Sequence, residues 1–379
     1  MIYLDHNATT PVLSEVREAM LPYLHEEWGN PSSSYRFGSH LKSQIEEARE
    51  QVAELIGSNT PRETLFTSGG TESNNTAIHA AITARPEKRH IITSQVEHSS
   101  VLTYCRFLEK HHGYRVTCLP VDHEGLLSMA DLVAALTDDT AVVSLMWANN
   151  ETGVLFPVEQ IAQLCRSRGV PYHCDAVQAA GKLLIDVRAI PFDYLSITGH
   201  KIGAPKGVGA LYVQKKAPFV SFMHGGHQER SRRGGTENVA SIVGLGTATA
   251  YAMRKPPKYK SIIRPVRDAL EQGILTCIPN TELNGHSTQR LANTTNITFQ
   301  GIESEALLLL LDQAGICASS GSACLADSPD PSHVIAAMKP GPSARQCVRF
   351  SLGTDTSLDQ VNITVKRLRE LIQTLSGTR

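Results

Sequence analysis

The sequence predicts an α/β protein with a largely parallel sheet, because short apolar runs alternate with segments of helix length. This alternation is typical of parallel strands that are joined by helical crossovers. A helical spacing of apolar residues over 41–57 adds a long helix before the first of these runs. The runs that we assign to strands are TLFT, HIIT, AVVSLMW, VPYHC, DYLSIT and GALYV.

The predicted helix over 41–57 places its apolar residues on one face and ends at Gly57. Prolines and lysines over 254–261 then indicate a boundary, after which strand and helix alternate on a smaller scale. The later segments are NTTNITF, EALLLLLDQAG, CVRFSLG and a last amphipathic helix from Leu358 to Leu375. We expect a large domain over 14–256, and a small domain formed by 1–13 and 257–379.

Composition excludes several classes of protein. The formal net charge of −1 over 379 residues gives no overall field that favours nucleic acid or an anionic membrane. The start lacks the basic and apolar regions of a signal peptide, and the longest aliphatic run, Ala306 to Leu311, is too short to cross a bilayer. We therefore expect a cytoplasmic protein without a nucleic-acid or membrane partner.

The 8 cysteines are scattered and form no CxxC pair. A disulfide scaffold is not expected in a chain of this size, and the ligand spacing of a closed zinc site is missing. We expect no intrinsic metal site, and we expect most of these cysteines to be small buried hydrophobic residues.

Two of the apolar runs lead directly to side chains that can react. Asp175 and Gln178 follow VPYHC, and Thr198, His200 and Lys201 follow DYLSIT. The ends of neighbouring strands in an open α/β sheet meet in one crevice. A lysine opposite a buried carboxylate is what a pyridoxal phosphate site requires, since the amine binds the cofactor and the carboxylate pairs with its ring nitrogen. Taken singly, the lysine also fits a surface charge, and Asp175 also fits a helix N-cap.

The segment TLFTSGGTESNN places Gly70 and Thr71 where a helix would follow a strand. Glycines allow the backbone to approach an anion, and the first turn of a helix offers free N–H groups. A plain tight turn before a capped helix explains the same residues. The segment matches neither GxGxxG nor a P-loop, so nucleotide binding is not favoured.

Three further polar residues follow, or lie within, strand-like runs: His98 in VEHSS, Asn150 in WANNETG and Arg349 in VRFSLG. The ring of His98 fits stacking on a pyridine ring and proton transfer near neutral pH, and it also fits a helix cap. The Arg349 guanidinium fits a bidentate contact with an α-carboxylate, and it equally fits a surface ion pair.

Cys324 lies in ASSGSACLADSPDPSHV, whose serines, glycines and prolines predict a mobile loop. Mobility would let its thiolate reach a substrate held on a cofactor, although an incidental loop cysteine explains the residue as well. The run HGGHQERSRRGGTEN offers several cations among glycines, for an anion or for a subunit contact. It lacks the interleaved aromatic residues of a nucleic-acid site.

Together these motifs resemble the cysteine desulfurases, which are pyridoxal phosphate enzymes of the aspartate aminotransferase fold (fold type I). The resemblance covers nearly the whole chain, and MWANNETG, GGHQER and SSGSAC are most similar to the NifS proteins of nitrogen fixation, with the IscS branch next. It implies a large domain built on a mostly parallel seven-stranded sheet. The other segments that carry it are YLDHNATTP, GNPSS, FTSGGTESNN, VEHSSVL, DAVQAAGK, TGHK, APKGVGALY, NTTNITF and PSHV.

The resemblance also implies roles for the matching residues. Lys201 would form the covalent bond to the cofactor, and Asp175 and Gln178 would contact the ring nitrogen and the ring oxygen. His98 would stack on the ring. The residues that would hold the phosphate are Gly70, Thr71, Thr198, His200 and, from the second copy in a homodimer, Thr236.

For the substrate, the resemblance implies L-cysteine. Asn150 would contact the cofactor and, with Arg349, the substrate carboxylate, and Cys324 would accept the sulfur. The products would be L-alanine and a persulfide for iron–sulfur cluster assembly, with a scaffold protein such as NifU or IscU as partner. Cys324 would also be a candidate transient cluster ligand. A selenocysteine lyase, an ordinary aminotransferase and a non-catalytic sulfur-delivery scaffold remain alternatives.

Overall fold

One large sheet forms the centre of the computed structural model, which describes residues 1–254, 256–320 and 331–377. Strand β8 runs antiparallel to both of its neighbours, and every other adjacent pair is parallel. This confirms the predicted, largely parallel sheet. In spatial order its strands are β2 (Thr64–Thr67), β8 (Gly209–Val213), β7 (Tyr194–Thr198), β6 (Tyr172–Asp175), β5 (Thr140–Ser144), β3 (His90–Ser94) and β4 (Arg115–Leu119).

The six strands β2, β3, β5, β6, β7 and β8 are buried along their whole length. Strands that are covered on both faces read as continuous apolar runs, which is why the sequence predicted each of them. Strand β4 is different because only its last residue, Leu119, is buried, whereas β2 at the other edge of the sheet is buried throughout. The sequence of β4, RVTCL, contains no continuous apolar run, and the sequence analysis missed it.

Helices connect and cover the strands of the large sheet. The predicted helix over 41–57 is found as α3 (Leu41–Leu55), and its apolar face is buried. None of the helices in the described ranges combines the length and the apolar character that crossing a membrane requires. The others in this part are α1 (Ser14–His25), α2 (Arg36–Ser39), α4 (Gly70–Thr83), α5 (Ser99–His112), α6 (Met129–Ala135), α7 (Val158–Ser167), the short turn α8 (Gln228–Ser231) and α9 (Val239–Met253).

Residues of the large sheet belong to two apolar clusters, the first of which contains Val143 and the second Val142. A separate apolar cluster, which includes Leu4, Ile274, Phe350 and Leu368, lies around two smaller sheets. The first is antiparallel and contains β12 (Cys347–Ser351), β10 (Thr294–Phe299) and β9 (Thr281–Asn284). In the second, β1 (Ile2–Tyr3) pairs in parallel with β11 (Ile316–Cys317). The helices of this part are α10 (Pro256–Cys277), α11 (Ser304–Gln313), α12 (His333–Met338) and α13 (Leu358–Gly377).

Two segments link the apolar clusters. Helix α12 packs into the first cluster of the large sheet through Val334, Ile335 and Met338. The N-terminal segment runs from β12, where the His6 N–H donates to the Ser351 carbonyl, to the connection between β7 and β8, where the Thr10 N–H donates to the His200 carbonyl. This path holds residues 7 and 8 beside the ends of β6 and β7.

Candidate active site

An open cavity with an empty volume of about 1000 Å³ lies where β6 and β7 end. It brings together residues that are up to 342 positions apart, from Asn7 to Arg349, and the ends of adjacent strands are where an open α/β sheet forms such a crevice. Thr236 is exposed and does not line it, and Cys324 lies outside the described residues. The predicted residues that line it are Gly70, Thr71, His98, Asn150, Asp175, Gln178, Thr198, His200, Lys201 and Arg349.

Asp175 is the last residue of β6, and its carboxylate is held in one orientation at the cavity wall. One oxygen accepts a hydrogen bond from the Val177 N–H at 2.9 Å, and the other accepts from Asn74 Nδ2 at 2.7 Å. Asn74 is itself fixed, because it also donates to Ser100 Oγ at 2.9 Å. The side chain of Asp175 is therefore available to a cationic or N–H group in the cavity without having to move.

Lys201 lies in the turn that follows β7 and reaches the same cavity from the end of the neighbouring strand. Its Nζ donates to the carbonyl oxygens of Asn7 and Ala8, both at 2.6 Å. The N-terminal segment thus fixes the position of the amine. The neighbouring His200 is partly buried, and this burial, followed by the charges of Lys201 and Lys206, lowers the pKa of its ring to about 4. His200 is therefore neutral at neutral pH.

Gln178 lies one helical turn before Lys182, and both side chains meet Asn7. Lys182 Nζ donates to Gln178 Oε1 at 2.8 Å and to Asn7 Oδ1 at 2.9 Å. Gln178 Nε2 donates to the Asn7 carbonyl at 3.0 Å. Each amide group therefore has a defined orientation, and the Gln178 amide contributes to the cavity wall.

The start of α4 forms a second wall of the cavity, where no side chain of Gly70 separates the backbone from the space inside. Gly69 has φ +152°, and a Cβ on Gly70 would lie 2.9 Å from Val177 Cγ2. Glu72 accepts from the Ser68 N–H at 2.7 Å and from Arg233 at 2.9 and 3.2 Å. Burial acts to raise the pKa of Glu72, but these hydrogen bonds hold that pKa below its usual value. Because Arg233 compensates its charge, the helix N-terminus remains suited to an anion.

His98 precedes α5 as its N-cap, which was the structural alternative for this residue. Its Nδ1 accepts from the Ser100 N–H at 3.1 Å, so the neutral ring carries its proton on Nε2. The ring also lines the cavity. Capping and a role in the cavity are thus compatible, because the cap uses only one of the two ring nitrogens.

Arg349 is buried on β12, with 1% of its surface exposed, and it is no surface ion pair. Its Nη2 lies 2.5 Å from Asp5 Oδ1, and its Nη1 donates to the Asn150 carbonyl at 3.0 Å. These contacts tie the N-terminal segment and the loop after β5 to the guanidinium. They hold a cation in the cavity wall.

Several cavity residues were not assigned roles from the sequence, and four polar ones that lie in or next to a quoted motif are Asn7, Asn74, Glu151 and His333. Glu151 is fully buried, its Oε2 accepts from Ser332 Oγ at 2.5 Å, and burial raises the pKa of its carboxyl group. No periodicity or spacing identifies such residues. Only the motifs NATTP, GGTESNN, ANNETG and PSHV, read position by position, offered a signal for them.

Comparison with known proteins places this geometry in one family. The family model for class-V aminotransferases matches residues 2–363. Cysteine desulfurase 2 of Trichormus variabilis is 50% identical over 376 residues, which cover 99% of this chain and 94% of that protein. Cysteine desulfurase NifS of Azotobacter vinelandii is 47% identical over 375 residues, covering 99% and 93%. A solved NifS-like protein superposes with a TM-score of 0.92 at 33% identity, covering 98% of this chain and 99% of the other.

The residues present fit the cofactor of this family, pyridoxal 5′-phosphate. The cavity offers an amine on Lys201, a carboxylate on Asp175 and a helix N-terminus free of Cβ atoms at Gly70. Within the described part of the chain, Gln178 Nε2 makes one hydrogen bond, so its second N–H is available to an acceptor. These groups match the amine, ring-nitrogen, phosphate and ring-oxygen requirements of the cofactor. The chain belongs to the class-V aminotransferase family and, within it, to the pyridoxal phosphate-dependent cysteine desulfurases.

Proposed function

We propose that the protein removes sulfur from L-cysteine and releases L-alanine, with the sulfur left on Cys324 as a persulfide. In this step the substrate Cβ–S bond breaks and a bond forms between the two sulfur atoms. L-cysteine plus one protein thiol gives L-alanine plus one protein persulfide, so the atoms and electrons balance without another reactant. The observation that carries the proposal is the convergence of Lys201, Asp175 and Gln178 on one cavity.

When bound, pyridoxal phosphate supplies a ring that withdraws electrons from the substrate Cα. Lys201 would bind it and then move the Cα proton with its freed amine. Asp175 would keep the proton on the ring nitrogen, and Gln178 would donate an N–H to the ring oxygen. His98 would stack on the ring face.

The phosphate and the substrate would be held at opposite ends of the cavity. Gly70, Thr71, Thr198 and His200 would bind the phosphate beside the α4 N-terminus. Arg349 would bind the substrate carboxylate together with Asn150. The Arg349–Asp5 contact supports this role, because it fixes the guanidinium plane before substrate arrives.

Cys324 would be the nucleophile that accepts the sulfur. The described residues that flank its segment support this assignment. The Arg349 N–H donates to the Ser319 carbonyl at 2.7 Å, and His333 lines the cavity. Both flanks therefore lie at the site where the substrate would bind.

We also propose a homodimer in which Thr236 reaches the phosphate site of the second copy. Thr236 is exposed and lies outside the cavity of its own chain, as this arrangement requires. Similarity to NifS supports an iron–sulfur scaffold protein, such as NifU or IscU, as sulfur acceptor, and a role in nitrogenase maturation. The separate apolar clusters support a large domain over 14–256 and a small domain of 1–13 and 257–379, although α12 packs with the first cluster.

The experiment is incubation with L-cysteine and a reductant, with alanine and sulfide measured together. Equal amounts are expected. Lys201→Ala should abolish both the covalent cofactor and turnover, whereas Cys324→Ala should keep the coloured cofactor and lose persulfide formation. Cys317→Ala, at a half-buried cysteine, is the matched control and should behave as the unmodified protein.

Undiminished desulfuration by Cys324→Ala would overturn the mechanism. Turnover of selenocysteine with almost none of cysteine would favour a selenocysteine lyase. A colourless protein that still binds the scaffold would favour a non-catalytic role.

A further inference from the structure

A buried lysine that the proposed reaction does not use lies directly behind the cavity. Lys182 is 8% exposed, and its Nζ donates to Gln178 Oε1 at 2.8 Å and to Asn7 Oδ1 at 2.9 Å. A buried amine is tolerated only where acceptors satisfy it, and here both acceptors belong to residues that line the cavity. The position of Lys182 is therefore coupled to the wall of the site.

The chemistry of a lysine decides which way the two amides point. An ammonium group has donors and no acceptor, so each amide must turn its oxygen toward Lys182. The Gln178 amide nitrogen consequently lies on the other side, where one N–H is bonded to the Asn7 carbonyl. The second N–H is the one that remains for a ligand. A neutral lysine still has two N–H donors, so this orientation does not depend on its charge.

Lys182 also lies within a cluster of cations. Burial, followed by the charges of Lys201 and Arg349, lowers the pKa of Lys182 well below its ordinary value. His6 lies near Lys182 and faces Asp355 and Asp5, and His200 lies near Lys201, Lys206 and His98. Asn7 connects the lysines, because its carbonyl accepts from Lys201 while its side chain accepts from Lys182.

We propose that Lys182 is a positioning residue that fixes the Gln178 amide so that one N–H is offered to the ring oxygen of bound pyridoxal phosphate, while it holds Asn7 against Lys201. This inference rests on the proposed function, because it requires the cofactor to occupy the cavity. A hydrogen bond to an oxygen favours the ionised form of that oxygen, so losing the bond lets the bound cofactor keep its proton to higher pH. Loss of Lys182 therefore moves the protonation of the bound cofactor to higher pH.

The test is Lys182→Met in the full-length holoenzyme, with the pH midpoint of its visible absorbance as the readout. We expect the midpoint to rise by about one pH unit. We expect kcat to fall roughly 10-fold, with KM for L-cysteine within about twofold. Lys215→Met, at an exposed lysine, is the control and should shift neither. A Lys182→Met midpoint equal to that of the unmodified protein would overturn the proposal.

A double-mutant cycle with Gln178→Leu distinguishes positioning from a general structural effect. If Lys182 acts through Gln178, Lys182→Met moves the midpoint much less in the Gln178→Leu background, and additive shifts would contradict this. Should Lys182→Met fail to fold, Lys182→Arg is the second variant. It keeps a donor-only cation, and the second cavity beside Lys182, about 1020 Å³, has room for it.

Lys182→Arg should retain the midpoint of the unmodified protein, and a midpoint that rises by about one unit would overturn the proposal. Alanine formation by the unmodified protein tests the proposed function separately. Alanine formed together with an unshifted Lys182→Met midpoint rejects only the role of Lys182. A shifted midpoint without alanine formation rejects only the desulfurase reaction.

Discussion

Replacing Glu229 by glutamine is expected to lower the free energy of unfolding by about 3 kcal/mol. Glu229 accepts from Arg49 Nη1 at 2.6 Å, from Arg49 Nη2 at 2.8 Å and from the Phe66 N–H at 3.1 Å. Both charged side chains are 3% exposed. A glutamine amide would turn an NH₂ group toward the guanidinium donors, and the buried cation would keep only the half-exposed Glu46 as counter-charge.

Two features of the structure set this magnitude at the lower end of the range for a broken buried pair. Arg49 retains hydrogen bonds to Glu46 at 3.1 Å and to the Thr64 carbonyl at 3.0 Å. In addition, three consecutive residues, Glu229, Arg230 and Ser231, have φ of 48°, 60° and 62°. Left-handed backbone costs such residues roughly 1 kcal/mol each, so release of this turn recovers part of the loss.

Thermal unfolding of the purified holoenzyme measures the effect. With an unfolding entropy of roughly 2.1 cal/mol/K per residue, a loss of about 3 kcal/mol corresponds to a Tm that is lower by about 4 °C. Glu46→Gln is the matched control, since Glu46 is 51% exposed, and it should change Tm by less than about 1 °C. Arg49→Met combined with Glu229→Met should recover most of the loss. A Glu229→Gln Tm no lower than that of Glu46→Gln would refute this reasoning.

Three further outcomes are expected. Arg349→Lys should raise KM for L-cysteine roughly 100-fold with an unchanged cofactor spectrum, because lysine cannot make the bidentate contact; steady-state kinetics with an unchanged KM would contradict it. Gly209→Ala should weaken cofactor binding at least about 10-fold, since its Cβ would lie 2.8 Å from Gly69 Cα; equilibrium titration of the cofactor that gives the affinity of the unmodified protein would contradict this. Burial raises the pKa of Glu97 to about 8 from 4.5. Between these two pH values the folded protein therefore holds a proton that the unfolded chain has released. As a result, this carboxyl lowers the free energy of unfolding by up to about 1.4 kcal/mol for each pH unit by which the pH rises. Glu97→Gln should flatten that slope in urea midpoints measured from pH 5 to 8.

The inner strands of the large sheet were predictable because burial on both faces demands apolar residues throughout. Strand β4 escaped prediction for the corresponding reason, since four of its five residues are at least partly exposed and need not be apolar. The start of α4 and the two strand ends at Asp175 and Thr198 were likewise visible, because glycines and polar residues interrupt apolar runs there. These signals are local, and each can be read within a window of a few residues.

The partners of the site residues were not visible in the same way. Nothing in the sequence pairs Arg349 with Asp5, or brings both Lys182 and Lys201 to Asn7. These contacts join residues more than 170 positions apart. They exist because the N-terminal segment crosses from β12 to the connection between β7 and β8.

The order of residues by itself determined the α/β class, the buried strands and the chemical groups available to the cavity. Side-chain chemistry and short-range periodicity do not depend on the rest of the fold. Tertiary structure alone decided which amide faces which lysine, how Arg349 is oriented and where Thr236 stands relative to its own cavity. Those relations are distances between segments remote in the chain, and packing of the whole molecule sets them.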